Sequence, residues 1–403
     1  MKQVIIIGGG AAGMMAALTA SASSASQVTL LERQSRVGRK LLSTGNGRCN
    51  LTNLHASASH YHGEHPDFAA PALSAFGVED TLSFFHWLGL VTATEVDGKV
   101  YPYSNSANSM LDVLRFAMEA QGVQVVSGTP VEKIKCKDRV FSLLAGGEVF
   151  AADCVIIACG GAAGSKLGGV MDGYQLLKSL GHHRTALYPA LVQIKTDPQY
   201  PRSLKGVKAE AHIAVFSGDT LLAENQGEIL FTEYGVSGPA VFEISRYASM
   251  GADGLTVELD LWPALSEEGV RAWLTERQTR LPQLETAQLF TGALHNRLGQ
   301  IVGRFASLPA GGTVAELSPR DLAAAAHGCK HFLLPITGTC GFDSAQVTAG
   351  GMRTEEFDPQ TMQSRLVPGL YACGEVLDID GDCGGFNLQW AWSSGHLAGQ
   401  LLP

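Results

Sequence analysis

Charge is scarce in this chain: Asp, Glu, Lys and Arg make up 17% of 403 residues, against a usual share of about 25%. Hydrophobic residues reach 45%, which excludes a disordered polymer, and the length gives room for two to three domains around a large core. Basic groups are the scarcer sign, 29 against 38 acids, for a net charge of −9. No lysine or arginine run dominates a segment, so a nucleic-acid partner that must be held through its phosphates is not expected. The eight cysteines, at 49, 136, 154, 159, 329, 340, 373 and 383, include no C-x-x-C pair. Zinc-ribbon and thioredoxin-like readings therefore lose their signature. Reduced thiols in a cytoplasmic protein are expected instead. Apolar runs are short as well. Val4 to Ile7 gives way at once to Gly8-Gly9-Gly10, below the roughly 7–15 residues of a secretory core, and nothing approaches a membrane span. No G-x-S-x-G elbow is present, which argues against hydrolysis.

What the chain has in excess is glycine, 47 residues. Val4–Ile7 reads as a buried parallel strand, and Gly8-Gly9-Gly10-Ala11-Ala12-Gly13 follows it with the spacing G-x-G-x-x-G. A helical stretch from Met14 comes next, then a second strand, Val28-Thr29-Leu30-Leu31, closed by Glu32. Each part has a mechanical task in holding a dinucleotide. Gly8 permits the tight turn, Gly10 lets backbone approach a pyrophosphate, and Gly13 lets helix and strand pack closely. The helix N-terminus offers N–H donors and partial positive charge. Glu32 can accept hydrogen bonds from ribose hydroxyls and disfavours a 2′-phosphate, so FAD or NAD fits better than NADP.

Residues 33–48 hold Arg33, Arg36, Arg39, Lys40 and Arg48, a basic cluster in an acidic chain that suits a diphosphate. The adjoining run from Ser43 to Asn53 is dense in small and amide residues that can offer donors at close range. Cys49 lies in it beside Arg48, which could favour a thiolate, although simple packing is the better reading. Tyr101, Tyr103 and Trp390 are candidate walls of a flat substrate pocket, with aromatic core packing as the alternative; a tyrosine hydroxyl there could supply a proton. His55, His60, His62 and His65 fall within eleven residues. Their Ala, Ser, Gly and Pro flanks point to a surface loop, and no metal site is expected.

The segment Gly38-Arg39-Lys40-Leu41-Leu42-Ser43-Thr44-Gly45-Asn46-Gly47-Arg48-Cys49-Asn50-Leu51-Thr52-Asn53 resembles the second motif of the BaiN/YhiN-type bacterial FAD-dependent oxidoreductases. Val100–Ser104, Phe231–Pro239, Val347–Gly351 and Gly384–Ala391 resemble further segments of that family, so the likeness spans essentially the whole chain. Thr44 and Glu233 stand where many members have glycine and histidine. Carried over by position, the resemblance implies tight, non-covalent FAD contacts from Gly8, Gly10, Ala12, Gly13, Glu32 and Arg33. It implies further ones from Arg39, Lys40, Leu41, Gly47, Arg48, Cys49 and Asn50, from the Val131 backbone at adenine, and from Gly160. In the C-terminal part the implied contacts are Gly374, Glu375, Gly385, Asn387 and Leu388. The helix opening at Asn387 would turn its free N–H groups toward the flavin edge where negative charge develops.

The expected fold class is α/β: a Rossmann-like FAD-binding domain of the glutathione-reductase type, with an inserted small β-barrel domain and a helical domain. The FAD domain is expected at 1–188 and 345–403, the β-rich insertion at 189–262 and 331–344, and the helical insertion at 263–330. Gly160-Gly161-Ala162-Ala163-Gly164 is not followed by a strand ending in an acid, so a separate nicotinamide domain is not expected, and an NAD(P)H donor would have to enter through the open substrate cleft. Family likeness implies reduction of an activated C=C bond in a small molecule such as an unsaturated oxo-steroid, with NAD(P)H as transient donor. An amine or amino-ketone oxidase using O2 and a flavin-bound regulatory or RNA-associated protein without turnover are the alternatives. The pocket is built from separated segments, so the sequence names neither the substrate nor the oligomeric state.

Overall fold

The computed structural model describes residues 1–251 and 254–402. Its contacts gather into two compact units, Met1–Tyr188 with Gln346–Pro403, and Pro189–Ala345. In the first unit the β-branched runs form one parallel sheet: β1 (Lys2–Ile7), β2 (Ser26–Glu32), β3 (Gln124–Ser127), β4 (Cys154–Ile157) and the C-terminal strand Leu370–Ala372. Strand β1 is central, with β2 and then β3 on one side and β4 and then Leu370–Ala372 on the other. The chain order reverses at β1, which is where open α/β sheets bind ligands, beyond the carboxyl ends of their strands.

Register decides what lies there. Ile7 pairs with Leu31 on one side and Ile157 on the other, and Ile157 pairs with Ala372. The carboxyl ends of the strands therefore lie along one edge, which carries Glu32 at the end of β2 and, beyond the other strands, Gly8, Gly160, and Gly374 with Glu375. The helix after β1, α1 (Ala11–Ser21), is buried on nearly every face. It packs against the C-terminal helix, Phe386–Gly399. A Cβ on Gly395 would stand 2.5 Å from the Ala12 carbonyl oxygen, and one on Gly399 2.6 Å from that of Ala16. Glycine four residues apart on one helix and alanine four apart on the other are what bring the two backbones together.

A buried Ser–His–Glu arrangement in this unit needs separating from catalysis. His182 Nδ1 lies 2.8 Å from Glu356 Oε2, and its Nε2 lies 2.9 Å from Ser364 Oγ. Ser364 Oγ accepts from the Leu366 and Val367 N–H groups, and both His182 and Ser364 are buried. It staples a turn. Burial holds the His182 pKa below its ordinary value, with the Glu356 bond only partly opposing this. The unfolded chain therefore takes up that proton first as pH falls through about 6.5, and the folded state loses stability. Burial also opposes ionisation of Glu356, but bonds from His183 and His182 outweigh it and lower its pKa, so its loss falls at lower pH, below about 4.5. Between pH 7 and 5, His182→Gln is expected to flatten the fall of the urea midpoint followed by fluorescence; an unchanged slope would contradict this.

In the second unit, alternating apolar residues build a closed barrel. Its strands are β5 (Ile194–Thr196), β6 (Lys208–Ser217), β7 (Thr220–Thr232), β8 (Gly235–Ser237), β9 (Leu255–Asp260) and β10 (Phe332–Thr339). Helices α2 (Pro239–Met250), α3 (Glu267–Arg280), α4 (Asn296–Phe305) and α5 (Pro319–Lys330) accompany it. Barrel residues such as Ile213 and Val257 and helix residues such as Val270, Leu298 and Ala325 share one apolar core. No helix among the described residues is long and apolar enough to cross a membrane.

Candidate cofactor site

The glycine loop after β1 is shaped by close contacts that leave a single gap. Gly8 has φ +108°, and a Cβ on it would meet the Ala158 carbonyl oxygen at 2.4 Å. A Cβ on Gly13 would stand 1.9 Å from the Gly8 carbonyl oxygen. Gly10 has ordinary backbone angles and nothing within 4 Å of its Cβ position. The space that Gly8 and Gly13 fill with protein is left open at Gly10, the N-cap of α1. No side chain caps that helix and no acid lies in its first turn, so its leading N–H groups, Ala12 and Gly13 among them, remain for an anion.

Glu32 is buried at the same edge. Its Oε2 accepts from the Gly9 N–H at 2.7 Å and its Oε1 from the Gln34 N–H at 2.7 Å. Each carboxylate oxygen keeps a further lone pair for a hydroxyl donor. The Gly9–Glu32 bond was not legible in the sequence, where Gly9 is only the middle of three glycines. Backbone bonds from Gly128 to Gln34 and from Thr129 to Glu32 bring the chain leading to buried Val131 beside this end.

At the other end Lys40 and Glu375 meet. Lys40 Nζ lies 2.7 Å from Glu375 Oε2, and Glu375 Oε1 accepts from the Thr348 N–H at 2.9 Å. Gly160, with φ +70°, has its Cβ position 3.8 Å from Glu375 Oε2. Gly374 is locked between both helices: its N–H donates to Ser394 Oγ, its carbonyl accepts from Trp390 Nε1, and its Cβ position lies 2.8 Å from the Ala12 Cβ.

The loop after Leu41, whose side chain is buried, turns sharply through left-handed residues Gly45, Asn46, Gly47 and Cys49. Buried contacts tether the residues after it to the C-terminal helix. Thr52 Oγ1 donates to Gln389 Oε1 at 2.6 Å, and Trp392 Nε1 donates to the Leu51 carbonyl at 2.9 Å. Asn50, 8% exposed, carries the feature that bears most on a ligand: its Oδ1 is buried with no hydrogen-bond partner. That atom lies 3.0 Å from the Cβ position of Gly385, the N-cap of the C-terminal helix, which again has no capping side chain and no acid in its first turn. A buried acceptor without a donor costs about 1–3 kcal/mol, and a ligand N–H would remove that cost.

Several expected residues are committed to protein contacts. Arg33 pairs with Asp172 at 3.0 Å, Arg39 donates to Gln34, and Arg48 pairs with Glu95 at 2.7 Å while lying 3.8 Å over the Tyr101 ring. The Asn387 side chain is consumed by Gly381 and Asp382 backbone groups, which leaves its main chain, like that of half-buried Leu388, as the part a ligand could use. Trp390 corrects the pocket-wall reading: it is 1% exposed and belongs to the core. Tyr103 is 71% exposed and forms no buried wall. The histidine segment is more than a surface loop. His60 Nδ1 and His62 Nε2 share Asp382 at 2.9 and 2.6 Å, and the His60 ring stacks on Phe386. Burial opposes ionisation of Asp382, but the two histidine bonds outweigh it and hold its carboxyl below the usual range.

Cys49 is also corrected as a reactive candidate. It is fully buried, and burial pushes its thiol up to about 12 against a weaker pull from Thr44. Iodoacetamide at pH 8 is expected to leave Cys49 unmodified in the folded protein and to modify it after denaturation. Rapid native labelling on peptide mass mapping would refute the burial argument.

A central glycine turn, an uncapped helix start and an acid on the adjacent strand define a Rossmann-type dinucleotide-binding protein. The chain belongs to the family described as HI0933-like protein Rossmann domain, whose profile matches residues 2–401. A 3-dehydro-bile acid delta(4,6)-reductase of Clostridium scindens is 41% identical over 404 residues, 99% of this chain and 98% of that protein. A ribosomal RNA dihydrouridine synthase of Escherichia coli is 31% identical over 386 residues, 95% of this chain and 93% of that one. A solved 3-ketosteroid delta1-dehydrogenase of Sterolibacterium denitrificans aligns over 99% of both chains at 14% identity and a TM-score of 0.49.

Proposed function

We propose that this FAD-dependent oxidoreductase reduces an activated C=C bond, conjugated to a carbonyl, in a small organic substrate, with NADH or NADPH as donor. The observation that carries the reading is the 41% identity, end to end, to a protein named as a bile acid delta(4,6)-reductase. Geometry supports the cofactor part: the gap at Gly10 and the orphaned Asn50 Oδ1 are places that a bound dinucleotide would fill. Gly10 and the α1 N-terminus would hold the pyrophosphate, Glu32 the ribose, and Lys40 with Glu375 the polar chain between the two halves. Asn50 and the N-terminus at Gly385 would hold the ring edge. Bound FAD supplies reversible two-electron hydride transfer.

The proton is assigned to Tyr101. Burial, aided by Glu95, keeps its hydroxyl pKa above the ordinary value against the opposing pull of Arg48 and Lys99. A phenol already carries its proton at neutral pH, so Tyr101 has one to give to a substrate carbon, and the upward shift makes it the weaker acid. Its ring is fixed by Arg48 on one face and by the loop at Gly45, whose Cβ position lies 3.1 Å from the ring.

Anaerobic mixing with NADH or NADPH tests the function. Loss of the flavin band near about 450 nm, followed by its return on adding an α,β-unsaturated ketone, is the expected result. Tyr101→Phe should slow only the return. Bleaching by an amine alone, with peroxide on re-aeration, would overturn the reading in favour of an oxidase. A second reading places the conjugated C=C in a uracil ring of RNA, favoured by the 31% identity to a protein named ribosomal RNA dihydrouridine synthase. The net charge of −9 opposes it. Reoxidation by an unmodified ribosomal RNA fragment and not by the ketone would establish it.

A further inference from the structure

We infer that the second unit carries a binding site for a divalent transition-metal ion, of the Zn2+ class, formed by Glu267, His327 and His331. His327 and His331 are four residues apart at the end of α5, so their rings project from one side of the helix, with centroids 4.7 Å apart. Glu267 is the first residue of α3. One ligand atom from each of the three lies within 4.8 Å of the others.

The His327–Glu267 contact satisfies hydrogen-bond geometry, and both carboxylate separations also suit two ligands on one ion. Glu267 Oε2 lies 3.3 Å from His327 Nδ1 and 3.4 Å from His331 Nε2. A charge-assisted N–H···O bond closes to about 2.7–2.9 Å. Donor atoms around a tetrahedral ion with bonds of about 2.0–2.1 Å stand roughly 3.3–3.4 Å apart. Both contacts match the second spacing and share one oxygen, as a monodentate carboxylate ligand would.

The remaining nitrogen of His331 also has a carboxylate beside it. Its Nδ1 lies 3.1 Å from Glu258 Oε1. Glu258 is on β9, paired with Leu333 of β10, and His331 immediately precedes that strand. A carboxylate at ion-pair distance from one imidazole nitrogen is the kind of partner that would orient the ring and leave the opposite nitrogen for a metal. Two imidazoles and one carboxylate suit Zn2+, Co2+ or Ni2+ and not Mg2+ or Ca2+, which require mostly oxygen. The three side chains are substantially exposed, so water would complete the coordination. An ion bound there would clip the start of α3 to the end of α5.

The test uses the flavin-loaded full chain, without a polyhistidine tag and stripped by a chelator, titrated with Zn2+ by calorimetry. One ion per chain with micromolar affinity is expected, falling more than tenfold in His327→Ala and in Glu267→Gln and unchanged in a substitution of the N-cap residue of α4, His295→Ala. Zn2+ should also raise the urea midpoint of the unsubstituted chain and not that of His327→Ala. No saturable binding, or equal affinity in all four proteins, would overturn the inference.

Discussion

Gly13→Ala is expected to give a chain that retains no flavin and unfolds at lower denaturant, whereas Gly10→Ala is expected to stay folded and lose only flavin affinity. The two substitutions add the same methyl group three residues apart, and the structure assigns them opposite neighbours. At Gly13 the methyl would stand 1.9 Å from the Gly8 carbonyl oxygen. Backbone cannot move aside as a flexible side chain can, so the turn and the start of α1 must shift, at a cost of about 1–3 kcal/mol or more. At Gly10 the methyl enters open space at φ −79°, and the about 0.4–1 kcal/mol gained from lower unfolded-state entropy is set against the poorer fit of alanine at an N-cap, leaving stability nearly unchanged. That open space is where a pyrophosphate must approach the helix start. Flavin affinity should therefore fall at least about tenfold, or about 1.4 kcal/mol. Urea unfolding with flavin fluorescence separates the outcomes; equal flavin affinity in Gly10→Ala and the unsubstituted chain would show that the gap is not a ligand site.

Asn50→Ala is expected to move stability and binding in different directions. In the ligand-free chain Asn50 Oδ1 is buried without a donor, so its removal relieves a desolvation cost of about 1–3 kcal/mol, set against the packing lost with the amide. The flavin-free protein should therefore unfold at a similar or higher urea concentration. Flavin binding should weaken about tenfold or more, because the partner that Oδ1 awaits can no longer be satisfied. A residue kept only for loop structure would show the reverse: a large loss of stability in the flavin-free chain and flavin affinity intact once folded.

How much of this was legible in the sequence follows from the range of the interactions. The strand, glycine turn, helix and terminal acid of residues 4–32 form a local unit, and spacing alone exposes it. The barrel strands show in the alternation of segments such as His212–Phe216. Glu32 was assigned to ribose by position, but its hold on the Gly9 N–H depends on how the turn folds back. The C-terminal helix was harder. By residue type alone Trp390 suits a pocket wall, and contacts of this helix hundreds of residues away, to Leu51, Thr52 and Phe76, decide that the helix is core. The His60–Asp382–His62 contacts are equally remote in sequence. His327 and His331 are a pair at helical spacing that becomes informative only with Glu267, which comes from another helix.

We propose that the edge formed by Gly10, Glu32, Lys40 with Glu375, and Asn50 holds one flavin dinucleotide. The most direct measurement is the cofactor released when the purified protein is denatured, quantified against the polypeptide by absorbance and chromatography. One FAD per chain, or stoichiometric uptake of added FAD by a stripped sample, is the predicted result. A preparation that yields no flavin and takes up none at micromolar concentration would contradict the account.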